Sequence, residues 1–417
     1  MLSSPESALS AKNVPQAPED PLYGLVNAYL SDKSDKKIDL SVGVYRDDNA
    51  KPWVLPAVQK AEQLYQCDPD LDHEYLPIAG LPEFINAAQR LIVGADSPAI
   101  RESRICSFQT ISGTGAVHLG GALLSRFLPL PTPAIYLSSP TWAIHDQIFN
   151  NVGLAIKEYP YFSSKTKMMD FDGMISVLGS APPGSIILLH ACAHNPTGVD
   201  PTHDQWGKIA KIIRANRLFP FFDCAYQGFA SGSLAQDNFA IRYFIDHGFE
   251  LAIAQSFSKN MGLYGQRVGA FHYIACPGSG AQEIVERVAS QLAILQRSEI
   301  STPPLFGAKI ASIVLNDKEI CADWEKDLRT MSGRINTMRE SLKQGLDQLQ
   351  TPGQWGHITS QIGMFSFTGL SKSQVLSLRE KWHVYMVETG RISMAGLNSG
   401  NVRYFAEAVD DVVRAAK

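Results

Sequence analysis

The middle of the chain alternates short apolar runs with stretches whose apolar residues recur at helical spacing. Residues 200–217, DPTHDQWGKIAKIIRANR, have the helical pattern after an Asp-Pro start. The apolar runs, each ending in polar, glycine or proline residues, lie in 132–142, 184–198, 218–226, 251–259 and 269–274. Continuous apolar runs between helices are typical of buried parallel strands with crossover helices. The pattern therefore predicts an α/β fold with an open, mostly parallel central sheet.

The character of the chain changes after residue 310. Residues 316–349 form a long, charged, helical pattern, and a mixed segment and a terminal helix follow it. This part predicts a smaller α+β domain beyond a domain junction. We expect a large domain over 53–320 and a small domain formed by 1–52, with an N-terminal arm, together with 321–417.

Composition narrows the class of protein. The 417 residues are 45% hydrophobic and 19% charged, and the net charge of -4 gives no basic surface for nucleic acid. No apolar stretch approaches the roughly 20 residues that cross a bilayer. Residues 1–21 are too polar for a signal peptide and contain no arginine, so we expect a flexible lead-in and a cytoplasmic protein. The six scattered cysteines indicate reduced thiols.

Polar side chains follow several of the predicted strands. In open parallel sheets, ligands bind outside the carboxyl ends of the strands. The polar residues found there are Trp142, Asn195, Asp223, Tyr226, Ser256, Ser258 and Lys259. We therefore expect these side chains to form one site at this edge of the sheet.

Lys259 has three possible roles: a surface turn, an anion site, or an amine that does chemistry. Burial and a neighbouring cation such as Arg267 would favour the free amine, which can form a Schiff base. The hydroxyls of Ser256 and Ser258, with Arg267, could hold a dianionic phosphate. A phosphate and a Schiff-base lysine together suggest pyridoxal 5'-phosphate (PLP).

PLP makes further demands on the residues around it. A carboxylate must keep the ring nitrogen protonated, and Asp223 suits this role, although it could equally be a turn or capping residue. Tyr226 and Asn195 could hydrogen-bond the ring oxygen, although Asn195 before proline is also a natural turn residue. Trp142 could stack on the ring or belong to the core.

Two other motifs bear on ligands. SGTGAVHLGGALL, residues 112–124, places small residues at the start of a helical pattern, where free amides bind anions. It matches neither the Rossmann nor the P-loop pattern. His190 and His194 lie four apart on a predicted strand without a third ligand nearby, so we expect no metal site.

With these residues assembled, the chain resembles the aspartate aminotransferase family of fold-type I PLP-dependent enzymes from residue 17 to its end. The motifs that carry the resemblance are VGVYRD, HEYLPIAGLPEF, SGTGA, SSPTW, HACAHNPTG, FFDCAYQGFASG, SFSKNMGLYGQRVG, GMFSF and GRISMAGL. The resemblance implies a large domain with helices on both faces of a mostly parallel sheet, plus a smaller α+β domain.

The resemblance also implies roles for individual residues. Lys259 would form the Schiff base and shuttle the proton, with Asp223 and Tyr226 as its catalytic partners. The implied cofactor contacts are Ser112, Gly113, Thr114, Trp142, Asn195, Asp223, Tyr226, Ser256, Ser258, Lys259 and Arg267, with Tyr75 reaching the phosphate of a neighbouring subunit. The implied substrate contacts are Arg391 at the α-carboxylate, and Gly43, Trp142 and Asn195. A homodimer with shared active sites follows from Tyr75.

Specificity depends on a further arginine. Arg297 lies six positions before Pro303, where the family's dicarboxylate enzymes have an arginine that reaches across the dimer. Its presence implies a substrate with a second carboxylate; without the resemblance it is a charge on an amphipathic helix. The chain departs from the family pattern at Ala143, Ile144, Gly265, Gln266 and Thr302. Of these, Ile144 and Thr302 would lie near the pocket and leave substrate choice open.

We therefore expect reversible ping-pong transamination between aspartate, or a related dicarboxylic amino acid, and 2-oxoglutarate. The alternatives are an aromatic or sulfur amino-acid aminotransferase, a PLP-dependent lyase or decarboxylase, and a silent scaffold that keeps only the fold. A scaffold should have lost Lys259, Asp223 or Arg391, and all three are present.

Overall fold

The computed structural model of the chain describes residues 9, 13–129 and 133–415. The helices in these ranges are α1 (Pro21–Ser31), α2 (Pro56–Gln66), α3 (Pro82–Val93), α4 (Pro98–Arg101), α5 (Ser112–Phe127), α6 (His145–Asn151), α7 (Phe171–Ser180), α8 (His203–Ala215), α9 (Leu234–Asp237), α10 (Phe239–Asp246), α11 (Ala281–Glu299), α12 (Leu305–Asn316), α13 (Lys318–Gln348), α14 (His357–Ser360), α15 (Lys372–Trp382) and α16 (Val402–Ala415). Most of the predicted flexible lead-in lies outside the described residues.

The strands of the described ranges form one large sheet and small two-stranded pairs. They are β1 (Ile38–Asp39), β2 (Ile105–Ile111), β3 (Ile135–Ser139), β4 (Ile156–Pro160), β5 (Phe162–Ser163), β6 (Met168–Met169), β7 (Ile186–His190), β8 (Phe219–Cys224), β9 (Leu251–Ser256), β10 (Val268–Ile274), β11 (Phe365–Phe367), β12 (Val384–Tyr385) and β13 (Arg391–Ser393). The large sheet has seven strands in the order β2-β10-β9-β8-β7-β3-β4. From β9 to β4 its neighbours pair in parallel, which confirms the predicted α/β fold with a mostly parallel sheet.

The prediction of a parallel strand over 269–274 is wrong, because β10 runs antiparallel to both β9 and β2. Parallel neighbours need a crossover of a dozen or more residues, usually through a helix. The connection from β9 to β10, residues 257–267, is shorter and contains no helix. It is closed by a 3.0 Å hydrogen bond from Phe257 N to Val268 O. The chain therefore turns back instead of crossing over.

Both faces of the large sheet are covered, which explains why its strands have continuous apolar sequences. In β7, Ile186 and Leu188 pack into one core cluster, whereas Ile187 and Leu189 pack into another. Successive side chains of a strand point to opposite faces. A strand buried on both sides therefore needs apolar residues at every position.

The long helix predicted over 316–349 is present as α13. It begins after Asp317, whose carboxylate accepts hydrogen bonds from the amides of Glu319 and Ile320 at 2.9 Å each. The fully buried Trp324 donates from Nε1 to Asn260 O at 2.7 Å. Helix α13 thus contacts Asn260, the residue next to Lys259.

The N-terminal and C-terminal parts of the chain are joined by a small parallel pair. β1 pairs with β12, and the carboxylate of Asp32 accepts from the Tyr385 hydroxyl at 2.8 Å and contacts His383 Nδ1 at 2.7 Å. The division into domains at 53 and 320 stays a prediction. Among the described residues, no helix combines the length and apolarity needed to cross a bilayer.

Candidate active site

A cavity of about 230 Å³ lies at the edge of the large sheet where β7, β8 and β9 end. The side chains predicted at these strand ends meet there. The cavity is lined by Gly43, Ser112, Gly113, Thr114, Trp142, His190, Cys192, Asn195, Asp223, Ala225, Tyr226, Ser256, Ser258, Lys259, Tyr264 and Arg267. The polar residues that follow the apolar runs therefore line one cavity.

The reversed strand β10 brings a cation to this edge. Because β10 is antiparallel, its first residues lie where its neighbours β9 and β2 end. Arg267 precedes β10, and its carbonyl oxygen accepts from the amide of Ser112 at 3.1 Å. Ser112 Oγ lies 2.8 Å from Ser258 Oγ and 3.4 Å from Ser256 Oγ. Three hydroxyls and one guanidinium are thus gathered on the β2-β10-β9 side of the cavity.

Helix α5 begins at the same place. It runs for 16 residues from Ser112, and no side chain caps its first turn. The free amides of a helix N-terminus, together with the helix dipole, favour an anion. The hydroxyls, Arg267 and the start of α5 therefore form an arrangement suited to a phosphate.

Asp223 lies one strand further along the edge, near the end of β8. Burial alone would raise the pKa of this carboxyl. The hydrogen bond and charge of His145, with the charges of His190 and Lys259, outweigh burial and lower the pKa of Asp223. His145 Nε2 lies 3.1 Å from Asp223 Oδ2, and His145 itself is fully buried. Asp223 is thereby kept as a carboxylate.

Lys259 is partly buried between these two groups of charges. Burial lowers the pKa of its amine, Asp223 raises it, and Arg267 lowers it; the net shift is downward. Its Nζ lies 5.6 Å from the centroid of the Tyr226 ring. Burial also raises the pKa of Tyr226, with Asp223 adding to the effect. The site thus combines an amine whose pKa is lowered with a phenol whose pKa is raised.

Asn195 supplies an unsatisfied polar atom. Its Oδ1 is buried and has no hydrogen-bond partner within the part of the chain that the structure describes. Buried polar atoms ordinarily have a partner, and an aromatic ligand with a polar ring substituent would supply one. The ring of Trp142 lines the same cavity, edge-on to His145 at a centroid distance of 5.2 Å.

Arg391 lies beside the cavity and is not one of its lining residues. Its Nη2 donates to Ser41 O at 2.7 Å, and its guanidinium carbon lies 4.2 Å from the centroid of the Phe365 ring. Gly43 adjoins the same ring, because a Cβ added at residue 43 would lie 2.7 Å from Phe365 Cζ. The Phe365 ring therefore packs against both the Arg391 guanidinium and Gly43, which lines the cavity.

Besides Arg391, two other predicted residues do not line the cavity of this chain. Tyr75 is 82% exposed, and neither Tyr75 nor Arg297 lines the cavity. Arg297 lies in the last turn of α11, where it donates to the hydroxyl of Ser301. Both side chains were expected to act in a neighbouring subunit, and that role stays a prediction.

Some site residues were missed in the sequence. His190 ends the apolar run IILLH, and its position at a strand end is the signal that marks it. His145 follows Trp142 by three positions, but nothing in the sequence pairs it with Asp223. Tyr264 lines the cavity from the loop between Lys259 and Arg267, where its hydroxyl accepts from the amide of Tyr45 at 2.9 Å. No periodic pattern marks a loop residue of this kind.

The donor set fits a phosphorylated aromatic aldehyde better than a metal ion. Among the described residues, no three histidine, cysteine or acidic side chains are grouped as metal ligands. Along the edge of the sheet, the anion-binding groups come first, on β2, β10 and β9, and the carboxylate follows on β8. A ring with a phosphate arm and a basic nitrogen would match that order of charges.

Comparison with known proteins gives a consistent result. Residues 35–409 match the family model described as aminotransferase class I and II. The chain is 46% identical to a cytoplasmic aspartate aminotransferase of Schizosaccharomyces pombe over 403 residues, which cover 96% of this chain and 98% of the relative.

Solved structures agree with the sequence relatives. A cytoplasmic aspartate aminotransferase of Saccharomyces cerevisiae superposes with a TM-score of 0.96 at 46% identity, covering 99% of this chain and 100% of that chain. An aromatic-amino-acid aminotransferase of Burkholderia pseudomallei, described as covalently bound to pyridoxal phosphate, superposes with a TM-score of 0.93 at 38% identity. The covered shares are 97% of this chain and 99% of the Burkholderia chain.

Proposed function

This chain belongs to the aspartate aminotransferase family of class I and II aminotransferases, and we propose that it transfers the amino group of aspartate reversibly to 2-oxoglutarate. A related dicarboxylic amino acid could replace aspartate. Full-length similarity to aspartate aminotransferases supports the reaction. The single observation in this molecule that supports the reaction is the partly buried Lys259 amine, which lies between Asp223 and Arg267 in one cavity.

We propose that PLP is the cofactor of this site. Its phosphate would be held by the amides of Gly113 and Thr114 and by Arg267, with Ser112, Ser256 and Ser258 as hydroxyl donors. Asn195 and Tyr226 would hydrogen-bond its ring oxygen, Trp142 would stack on the ring, and Lys259 would bind the aldehyde carbon. When bound, PLP supplies an aldehyde that takes up the substrate amine and a ring that accepts an electron pair.

The residues of the chain would hold and move protons. Asp223, kept ionised by His145, would hold a proton on the ring nitrogen. The lowered pKa of Lys259 would leave its amine free to accept the proton from the substrate α-carbon as general base. Within the same half-reaction, that amine would donate the proton to the former aldehyde carbon of the cofactor.

Substrate binding would require two arginines and two subunits. Arg391 would grip the α-carboxylate with its planar fork, next to Gly43, Trp142 and Asn195. Arg297 and Tyr75, which lie away from the cavity of their own chain, would complete the site of a partner subunit. A homodimer with shared active sites is therefore part of the proposal. The names of the yeast relatives support a cytoplasmic location.

An amino-donor panel tests the reaction. Purified protein with added PLP is incubated with 2-oxoglutarate as the acceptor and one amino donor at a time, and glutamate formation is followed. The donors are aspartate, a sulfur amino acid, phenylalanine and tyrosine. Aspartate should give the highest kcat/KM, and Lys259→Ala should abolish turnover. The wild-type protein with PLP should be yellow, and borohydride should bleach it by fixing PLP to the chain. In Lys259→Ala, borohydride should not fix PLP to the chain. Full turnover by Lys259→Ala would end the proposal.

Two observations favour a second function, that of an aromatic or sulfur amino-acid aminotransferase. One structural neighbour is an aromatic-amino-acid aminotransferase, and Ile144 and Thr302 depart from the family pattern near the predicted pocket. Phenylalanine or a sulfur amino acid would then be the best donor in the same panel. Release of carbon dioxide or ammonia without glutamate would instead indicate a lyase or decarboxylase.

A further inference from the structure

Arg339 is a fully buried guanidinium that forms no ion pair with any carboxylate of the described residues. It lies in α13 and is 1% exposed. Its Nη1 donates to Ile358 O at 2.8 Å, and its Nη2 donates to Gly363 O at 2.9 Å and Phe365 O at 2.5 Å. Burial lowers the pKa of the Arg339 guanidinium. The buried Nε of Arg339 has no hydrogen-bond partner among the described residues. The three bonds from Nη1 and Nη2 therefore provide the hydrogen bonding that a buried charge requires.

The segment that Arg339 holds, residues 358–365, connects two parts of the candidate site. On one side, Ile362 N donates to Gly198 O at 2.8 Å. An added Cβ at Gly363 would lie 2.4 Å from the Cβ of Ala193. The segment therefore packs closely against the turn that carries Asn195.

On its other side, the same segment leads into β11. Phe365 pairs with Ser393, and Phe367 pairs with Arg391 in the antiparallel β11–β13 ladder. Met394 N also donates to Met364 O at 2.8 Å. The ring of Phe365 lies under the Arg391 guanidinium at 4.2 Å. Phe365 therefore accepts a hydrogen bond from Arg339 through its carbonyl oxygen and contacts Arg391 through its ring.

We propose that Arg339 is a positioning residue for carboxylate binding: it fixes the segment that sets Arg391 relative to the Asn195 turn. This inference rests on the proposed function, because it gives Arg391 the substrate carboxylate. Arg339 acts through Phe365 and has no contact with the cavity. Its loss should therefore weaken carboxylate binding more than it slows the chemical step.

Arg339→Met tests this role, because methionine keeps an unbranched apolar stem and leaves the three carbonyls without donors. Its control is Arg104→Met. Arg104 is 2% exposed and donates to Ala275 O at 2.7 Å, but it precedes β2 at the edge of the sheet away from the cavity. Arg339→Lys keeps the charge without the planar fork and serves if the methionine variant does not fold.

The measurements are KM and kcat with aspartate and 2-oxoglutarate, and the affinity of the PLP-loaded protein for succinate by calorimetry. Succinate has the two carboxylates of aspartate without its amine. Arg339→Met should raise both KM values and the succinate Kd roughly tenfold or more, because a displaced Arg391 guanidinium loses part of its charge-assisted, bidentate hydrogen bonding to the carboxylate. We expect kcat to fall less than about threefold. Arg339→Lys should show a smaller rise, and Arg104→Met should leave all three constants near wild type.

The outcomes separate this inference from the proposed function. The positioning role would be overturned if Arg339→Met left KM and the succinate Kd unchanged, or if Arg104→Met changed them equally. Glutamate formation by the wild-type protein would still uphold the proposed reaction in either case. A wild-type protein that binds succinate but forms no glutamate would overturn the reaction, and the succinate Kd of Arg339→Met would still decide the role of Arg339. A wild-type protein that neither binds succinate nor forms glutamate would overturn both the proposed reaction and the role of Arg339.

Discussion

His145 Nε2 lies 3.1 Å from the carboxylate of Asp223, and both side chains lie at the carboxyl edge of the central sheet. His145 is fully buried, and its Nδ1 lies 2.8 Å from Thr141 Oγ1. The imidazole is therefore fixed on both sides, and the pKa of Asp223 depends on it.

Replacing His145 should change the pH dependence of the enzyme. The pKa of Asp223 is lowered because the hydrogen bond and charge of His145 outweigh burial, so His145→Asn should raise it. A carboxyl with a higher pKa loses its charge at a higher pH as the solution is acidified. The acidic limb of the kcat/KM profile should therefore move to higher pH, whereas His247→Asn, at an exposed histidine, should not move it. An unmoved limb in His145→Asn would contradict the coupling.

Gly43→Ala should weaken substrate binding. The new Cβ would lie 2.7 Å from Phe365 Cζ, and the Phe365 ring supports Arg391. Overpacking of this kind costs about 1–3 kcal/mol, and the same loss of transition-state binding lowers kcat/KM for aspartate about fivefold or more. Gly179→Ala is the control, because a Cβ there meets nothing within 4 Å. Equal kinetics for the two variants would show that residue 43 has space to spare.

Arg297→Ala tests whether the site is shared between subunits. Removing a carboxylate partner should lower kcat/KM for aspartate roughly 10²-fold. A mixture of Arg297→Ala and Lys259→Ala subunits, unfolded and refolded together, should regain activity. Each hybrid dimer would pair an intact Lys259 with an intact Arg297 in one of its sites. Activity that stays at the level of the separate variants would show that each site takes both residues from one subunit, or would exclude the dimer.

The start of α13 should be sensitive to the loss of one carboxylate. Asp317 accepts from two amides of the first turn, and Asp317→Ala should reduce the free energy of unfolding by about 0.5–2 kcal/mol. Asp317→Asn can still cap the helix and should stay close to wild type. Urea unfolding of both variants measures the difference. A larger loss in the asparagine variant would reject the capping explanation.

The sequence predicted the parts of the site that follow a simple rule. Trp142, Asn195, Asp223 and Ser256 all come after apolar runs, and the edge of a parallel sheet brings such residues together. The direction of β10 was predicted wrongly, because an apolar run does not reveal whether the chain before it crosses over or turns back.

Other features could not be predicted because they depend on contacts between distant segments. The pairing of His145 with Asp223 and the grip of Arg339 on the 358–365 segment require the folded chain. Arg339 has an ordinary place in a charged helical pattern, where arginine usually faces water. The roles of Arg297 and Tyr75 depend on a second subunit and remain predictions.

The reversal of the chain between β9 and β10 has a further consequence. Lys259 and Arg267 lie on the same hairpin-like connection, which is pinned at its base by the bond from Phe257 N to Val268 O. An insertion or deletion between them would shift the amine relative to the guanidinium. Relatives that adapt to new substrates should therefore vary in other loops and preserve the length of this one.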